Sequence, residues 1–480
     1  MAKDNKKLEV EKLKTEIERL KKELKKRKKY GLVWEEKPEE LVEMCKEKLP
    51  VLKEVKNKEI ITDKDKPVNL LIEGDNYHAL SVLNYTHAKK VDVIYIDPPY
   101  NTGQKDFKYN DQWVDIEDTY RHSKWLAFME KRLVLAKNLL KNNGVIFIQI
   151  DDNEIAQLKL LCDEIFGPNN FRNMLVWAYR TGGSPSKKDV FGRKHDYILF
   201  YSRSDNYFFN VLKEKIYYQK DFFGAKKDEK GNFYAEVNLR DVVEGEIELF
   251  KGGKFYKKIN VKPVLNLSSE RVMDFPSQKP IGLIKFLLEV TTNKDSIICD
   301  FFAGTGSTGE AVLDLNRDDN GNRKFILCTN NENNIATDIC YPRIKKAIFG
   351  FKNRPALGGN LKYFKTDFVD YDEPTDKNKI KLTRQATEML CVREGTFERV
   401  EDNEKFKIFK NSDHYTGIIW DQTAIPAFKK AIKDIEGKFS VYVFSLGDEA
   451  FDDEFKDVKQ KVQLSPIPEA ILRVYRRIFR

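Results

Sequence analysis

From about residue 66 onward, short apolar runs alternate with segments of helical periodicity, and this limits the fold more than any other feature. Val68–Glu73 (VNLLIE), Val91–Ile96 (VDVIYI) and Gly144–Ile150 (GVIFIQI) are almost wholly apolar. So are Tyr197–Tyr201 (YILFY), Ser296–Phe301 (SIICDF) and Lys324–Cys328 (KFILC). Strands buried on both faces have this composition. Segments 124–142, 153–165, 279–292, 307–315 and 335–348 have helical spacing. The alternation predicts an α/β fold built on a doubly wound, mostly parallel sheet.

Outside that core the pattern changes three times. Residues 1–60 form an N-terminal helical segment, in which Val10, Leu13, Ile17, Leu20 and Leu24 keep 3-4-3-4 spacing. That seam suits dimerisation or a partner helix. About two heptads make a weak coiled coil alone, so packing on its own domain is the competing reading. Residues 203–275 interrupt the sheet domain (61–202 and 276–350) with short antiparallel hairpins rich in Lys, Gly and aromatics. Interleaved Lys and rings suit nucleic-acid contact. Most of these rings are expected in a small core of the insert, with a minority exposed. Residues 351–480 are highly charged and mixed, and predict a C-terminal α+β domain ending in a basic helix.

Composition excludes several classes. The 480 residues carry 85 Lys and Arg against 76 Asp and Glu, a net +9 that permits a nucleic-acid partner without demanding one. The 6 Cys are far apart and none shows Cys-x-x-Cys spacing, so neither a disulfide framework nor a zinc site is expected. No apolar stretch is long enough to span a bilayer, and the N-terminus has no apolar core of a signal peptide. A cytoplasmic protein without membrane contact is the expectation.

Two motifs carry chemistry. Asp97-Pro98-Pro99-Tyr100 follows the apolar run VDVIYI. In an open parallel sheet, ligands bind outside the carboxyl ends of the strands. Consecutive prolines stiffen the exit and hold a carboxylate and a ring a few residues apart. Such a pair can grip a planar, amino-bearing base: the carboxylate accepts N–H bonds and the ring stacks. The second motif, Asp300-Phe301-Phe302-Ala303-Gly304-Thr305-Gly306-Ser307-Thr308-Gly309, follows the run SIIC. Its glycines let the backbone approach a ligand at the next helix N-terminus. Glu332 ends the following strand, where an acid binds ribose hydroxyls. A nucleoside-containing cofactor follows, with NAD and S-adenosylmethionine both open.

Together the motifs resemble the amino-group DNA methyltransferases. Asp-Pro-Pro-Tyr precedes the glycine loop by about two hundred residues, an order similar to the β class of adenine-N6 enzymes. IDPPYNTG, KKRKKYGLVWEEKPE and GVIFIQIDDNE resemble modification subunits of type III restriction-modification systems, over roughly residues 25–350. The resemblance implies that Asp97 and the Pro98 carbonyl accept hydrogen bonds from the adenine amino group. It implies that Tyr100, after Pro99, stacks on a base flipped out of duplex DNA. Asp300, Phe302, Gly304, Gly306, Thr308 and Glu332 match the S-adenosylmethionine site. Asp75 matches the acid at the cofactor's adenine, and Lys279 in Gln278-Lys279-Pro280 a motif beside its methionine end. Trp177, Arg180 and Lys194 are placed along the DNA groove, and no metal is expected. The implied partners are double-stranded DNA, a second copy of the chain and a separate helicase-nuclease restriction subunit.

Other readings are a solitary enzyme, cytosine-N4 methylation by the same amino-group chemistry, and a nucleotide-dependent oxidoreductase. The N4 pattern more often has Ser where this chain has Asp97. The oxidoreductase leaves Asp-Pro-Pro-Tyr unexplained.

Overall fold

A computed structural model describes residues 34–179, 191–264, 278–351, 354–371, 375–412, 414–447, 449 and 451–479. The N-terminal heptad seam and Arg180 lie outside the described residues. A central sheet of 10 strands contains β1 (Lys48–Glu54), β2 (Val68–Glu73), β3 (Val91–Ile96), β4 (Leu140–Ile150), β5 (Phe171–Ala178), β6 (His195–Ser202), β7 (Val242–Glu244), β8 (Ile297–Asp300), β9 (Lys324–Thr329) and β10 (Asn360–Asp370). Their spatial order is β1-β10-β2-β9-β8-β3-β4-β6-β5-β7. From β10 to β4 every neighbouring pair is parallel. Antiparallel pairs enter at β6 and β5 on one side and at β1 on the other.

Strand alternation assigns the two faces. Ile72, Ile94 and Ile148 point to α1 (Asn76–Thr86), α2 (Arg121–Leu139) and α3 (Ile155–Phe166), where Leu80, Leu133 and Leu158 meet them. Leu71, Val93 and Phe147 point to the other face and pack with Leu287, Val312 and Ile344. Those residues come from α4 (Ile281–Thr291), α5 (Ser307–Asp319) and α6 (Tyr341–Phe349). Helices on both faces of a mostly parallel sheet make the fold doubly wound, as the alternation predicts.

The sheet is wider than the six apolar runs. Its edge strand β1 comes from the N-terminal segment, and β10 comes from beyond residue 350. The central sheet therefore extends past both expected boundaries. Both strands are studded with charge, which hides them in the sequence. Lys362 on β10 is buried and its ammonium reaches Glu54 Oε1 at 2.5 Å and Glu59 Oε1 at 2.5 Å.

The insert forms an antiparallel sheet of 5 strands, including Lys213–Tyr218, Phe233–Asn238, Glu246–Lys251 and Lys254–Asn260. The expected hairpins are present, but most of the rings are not buried. Phe208, Phe209, Tyr217, Tyr218, Phe223 and Phe255 are exposed, and Phe250 is buried. A single sheet has only one face to pack. Ile247, Leu249 and Ile259 fill that face against the helices of the main domain, which leaves the rings outside.

The C-terminal part builds a mixed sheet of 5 strands with helices, the expected α+β unit. Its terminal helix, Glu469–Phe479, returns to the main domain. Ile471, Leu472 and Tyr475 are buried in the core that holds α1, and Tyr475 donates its hydroxyl to the Pro50 carbonyl at 2.5 Å.

Candidate active site

β3 and β8 are neighbours in the sheet, and their carboxyl ends open side by side. From β3 the chain continues to β4 on one side; from β8 it continues to β9 on the other. This divergence is a topological switch point, where open α/β sheets bind ligands.

The exit of β3 is held in several places. Trp125, fully buried on α2, donates its indole N–H to the Pro99 carbonyl at 2.8 Å. Asn101, at φ 56°, donates to the Arg121 carbonyl at 3.3 Å. Lys279, just before α4, places its ammonium 2.7 Å from Asp97 Oδ2 and 5.0 Å from the centre of the Tyr100 ring. Asp97 Oδ1 is buried and has no hydrogen-bond partner among the described residues. Burial pushes the Asp97 carboxyl above its ordinary range, and Lys279 pulls it back.

Tyr100 donates to Asp196 Oδ2 at 3.3 Å. Asp196, buried on β6, also accepts from Gln149 Nε2 at 3.3 Å and from the Tyr179 hydroxyl at 3.3 Å. Tyr95 closes the network with a 2.7 Å bond to Gln149 Oε1. Burial raises the Tyr100 phenol far above its usual value, so it stays a donor.

At the exit of β8, Asp300 organises the glycine loop. Its Oδ1 accepts the Phe302 amide at 3.0 Å and its Oδ2 accepts the Thr308 hydroxyl at 2.5 Å. Burial pushes this carboxyl up to about 7. Gly304 and Gly306 have φ of 49° and 82°. A Cβ on Gly306 would lie 3.0 Å from Cys340 Sγ. Glycine is thus required there by conformation and by space.

Asp75, Asp97, Pro99, Phe302, Gly304 and Glu332 line one cleft of about 400 Å³ beside these two exits. Asp75 caps α1, accepting the Tyr77 amide at 2.7 Å. Behind it the fully buried Arg132 makes a two-pronged ion pair with Glu39, at 2.7 and 3.0 Å. Glu332 is exposed and pairs with Lys108. Asp300, Gly306 and Thr308 are not on the cleft wall; they hold the loop from beneath. A wider cleft, about 740 Å³, lies over the outer side of α5 and α6. Its charges are largely matched, Lys285 with Asp314 and Arg343 with Glu310. It is lined by helices and the insert rather than by the carboxyl ends of the strands, so the smaller cleft is the candidate site.

Trp177 does not line a groove. It is buried, and its indole donates to the Val261 carbonyl at 2.8 Å, tying β5 to the insert. An aromatic ahead of a Lys-rich insert looks like a contact residue in the sequence; here its large apolar surface has gone into the core. Lys194 is exposed, and its carbonyl accepts the Tyr179 amide at 2.9 Å.

The structure adds residues that the motifs do not contain: Trp125, Gln149, Asp196, Arg132 and Lys108. Gln149 had a signal, as the one polar side chain within the run GVIFIQI. Asp196 had one too, as the acid directly before the run YILFY; the others come from distant segments and had none.

Taken together, the α/β fold and the cleft set a carboxylate and an aromatic ring at one strand end beside a glycine-rich loop at the next. A family model described as DNA methylase matches residues 91–339, just over half of the chain, and the chain belongs to that family. It is 31% identical to the StyLTI Mod subunit of a type III restriction-modification enzyme from Salmonella typhimurium, over 54% of this chain and 52% of that one. It is 30% identical to the EcoPI Mod subunit of Escherichia phage P1, over 58% of this chain and 60% of that one. It is also 30% identical to the type II methyltransferase M.KpnI of Klebsiella pneumoniae, over 62% of this chain and 88% of that one. The chain thus spans between half and two thirds of the length of these two Mod subunits.

Proposed function

We propose that the chain is a site-specific DNA methyltransferase that transfers a methyl group from S-adenosylmethionine to N6 of a flipped adenine. One observation carries this reading. Asp97, whose Oδ1 is buried without a hydrogen bond, lines a nucleoside-sized cleft at the turn that also carries the Tyr100 ring.

The residues present suit the cofactor. Asp75 and Glu332 offer acceptors for its adenine and ribose, and Phe302 and Gly304 offer a ring and an open backbone. Bound there, S-adenosylmethionine would supply an electrophilic methyl group on a sulfonium. Asp97 Oδ1 and the Pro98 carbonyl accept the two amino hydrogens of the target base. The aromatic ring of the base delocalises the lone pair on its amino nitrogen. Two fixed acceptors return electron density to that nitrogen and set its direction of attack. Tyr100, anchored by Asp196, stacks on the base. Asp97 is also placed to take the proton that the nitrogen sheds, because burial raises its proton affinity.

Duplex DNA is the proposed substrate and base flipping the route, because a stacked base cannot reach the cleft. The exposed rings of the insert, interleaved with lysines, are the proposed recognition surface. A role as the modification and recognition subunit of a restriction-modification system, acting as a homodimer and with a restriction subunit, rests on the similarity to Mod subunits. Among the described residues no helix is long and apolar enough to cross a membrane.

The test is a methyl-transfer assay with the purified chain, unmethylated genomic DNA and labelled S-adenosylmethionine, followed by nucleoside analysis. N6-methyladenine is the expected product. N4-methylcytosine would move the target base, and no methylated nucleoside would overturn the reading.

A further inference from the structure

Behind the Asp97–Tyr100 turn lies a buried polar cluster with no role in the chemistry above. Asn101 and Glu154 are both fully buried, and Asn101 Nδ2 donates to Glu154 Oε1 at 2.5 Å. His122 Nδ1 lies 2.6 Å from the same oxygen. Arg121 Nε donates to His122 Nε2 at 3.2 Å. Nε2 accepts that bond, and of the two groups at Nδ1, Glu154 at 2.6 Å and Gln157 Nε2 at 3.4 Å, the nearer carboxyl oxygen takes the hydrogen of a neutral ring. Glu154 Oε1 thus receives two donors.

The other half of the pair is unsatisfied. Arg121 Nη1 is a buried donor without a partner, and Glu154 Oε2 and Asn101 Oδ1 are each buried without one. Both oxygens are acceptors, and they belong to side chains already joined by one hydrogen bond. Buried acceptors left unpaired are costly and rare. A single hydrogen on Oε2 completes both, giving the ring of two bonds that a carboxylic acid forms with a carboxamide. We propose that Glu154 is a positioning residue that works as a carboxylic acid, clasping the Asn101 carboxamide and so holding the Asp97–Tyr100 turn in its working shape.

The environment agrees. Burial pushes the Glu154 carboxyl up to about 8, with Asn101 and Arg121 acting against it and Asp151 with it. Arg121 and His122 from α2 and Asp151 from the end of β4 are the charged or titratable groups facing the pair. Burial holds His122 below its ordinary value, in keeping with a neutral ring. Deprotonation would leave both acceptors without that hydrogen and loosen the turn. A carboxyl group raised on folding contributes stability that is complete below its ordinary 4.5 and is lost as pH rises through about 8.

The proposal rests on the methyltransferase reading, and the experiment separates the two. Single-turnover methyl transfer to unmethylated genomic DNA is followed from about pH 6 to about pH 9.5 for wild type, E154Q and E154A, together with thermal unfolding. The wild-type rate should fall roughly tenfold per pH unit above about 8. E154Q presents an amide in place of the acid, keeps both bonds and should retain the neutral-pH rate within roughly threefold, with no fall at alkaline pH. E154A should lose roughly a hundredfold in rate while cofactor binding, read by calorimetry, persists. If Glu154 is instead an ionised partner of Arg121, E154Q will be as impaired as E154A and the wild-type profile flat through this range, which overturns the proposal. Should wild type methylate nothing, the functional reading fails, and unfolding still decides the clasp. A midpoint that falls with pH in wild type relative to E154Q supports it, and parallel curves overturn it.

Discussion

Asp97 is the residue on which the chemistry turns, and its two oxygens differ. Oδ2 is engaged by Lys279 and Oδ1 is unpartnered. Asp97→Ala should cut methyl transfer by about 10³-fold and leave cofactor affinity unchanged by calorimetry. Lys279 has a separate effect. It favours the carboxylate, whereas burial favours the acid. Lys279→Met should therefore raise the Asp97 pKa further. The acid limb of the methyl-transfer pH profile should move to higher pH, and an unmoved limb would remove Lys279 from this role. That pairing was not legible in the sequence, where Lys279 sits 182 positions from Asp97 and matched a motif beside the cofactor's methionine end.

At the scale of the element, the glycine loop is held from below. Asp300 ties the loop backbone and Thr308 together, and Gly306 lets α5 start against α6. Gly306→Ala should cost about 1–3 kcal/mol, from left-handed backbone strain and the approach to Cys340, and urea unfolding would measure it. The motif exposed this requirement in the sequence. α1 was invisible there for a physical reason. From Tyr77 to Thr86 every residue is buried and none is Asp, Glu, Lys or Arg, so no charged face marks a helical period. The apolar runs at β3, β4 and β9 were legible for the opposite reason, because a parallel strand buried on both faces is apolar along its whole length.

The whole molecule is joined at a seam that local pattern cannot reveal. The helix Glu469–Phe479 leaves the C-terminal sheet and completes the core around α1 and β1. Arg393 reaches the same place and donates to the Tyr85 carbonyl at 3.0 Å. Two parts that share a core should unfold together. Ile471→Ala should destabilise the entire chain by about 2–4 kcal/mol, and calorimetry should show one transition lowered as a unit. Separate transitions, with only the later residues affected, would mean that the seam is not cooperative.

What the sequence by itself determined is whatever is local: the doubly wound sheet, because buried parallel strands need continuous apolar runs, and the Asp-Pro-Pro-Tyr and glycine-loop exits, because those conformations demand Pro and Gly. Only the tertiary structure decided which distant groups meet there. It set Lys279 on Asp97, Asp196 on Tyr100 and Glu154 on Asn101, buried Trp177, and turned the rings of the insert outward. Charge pairing and burial depend on neighbours that arrive from anywhere in the chain, and no spacing rule encodes them.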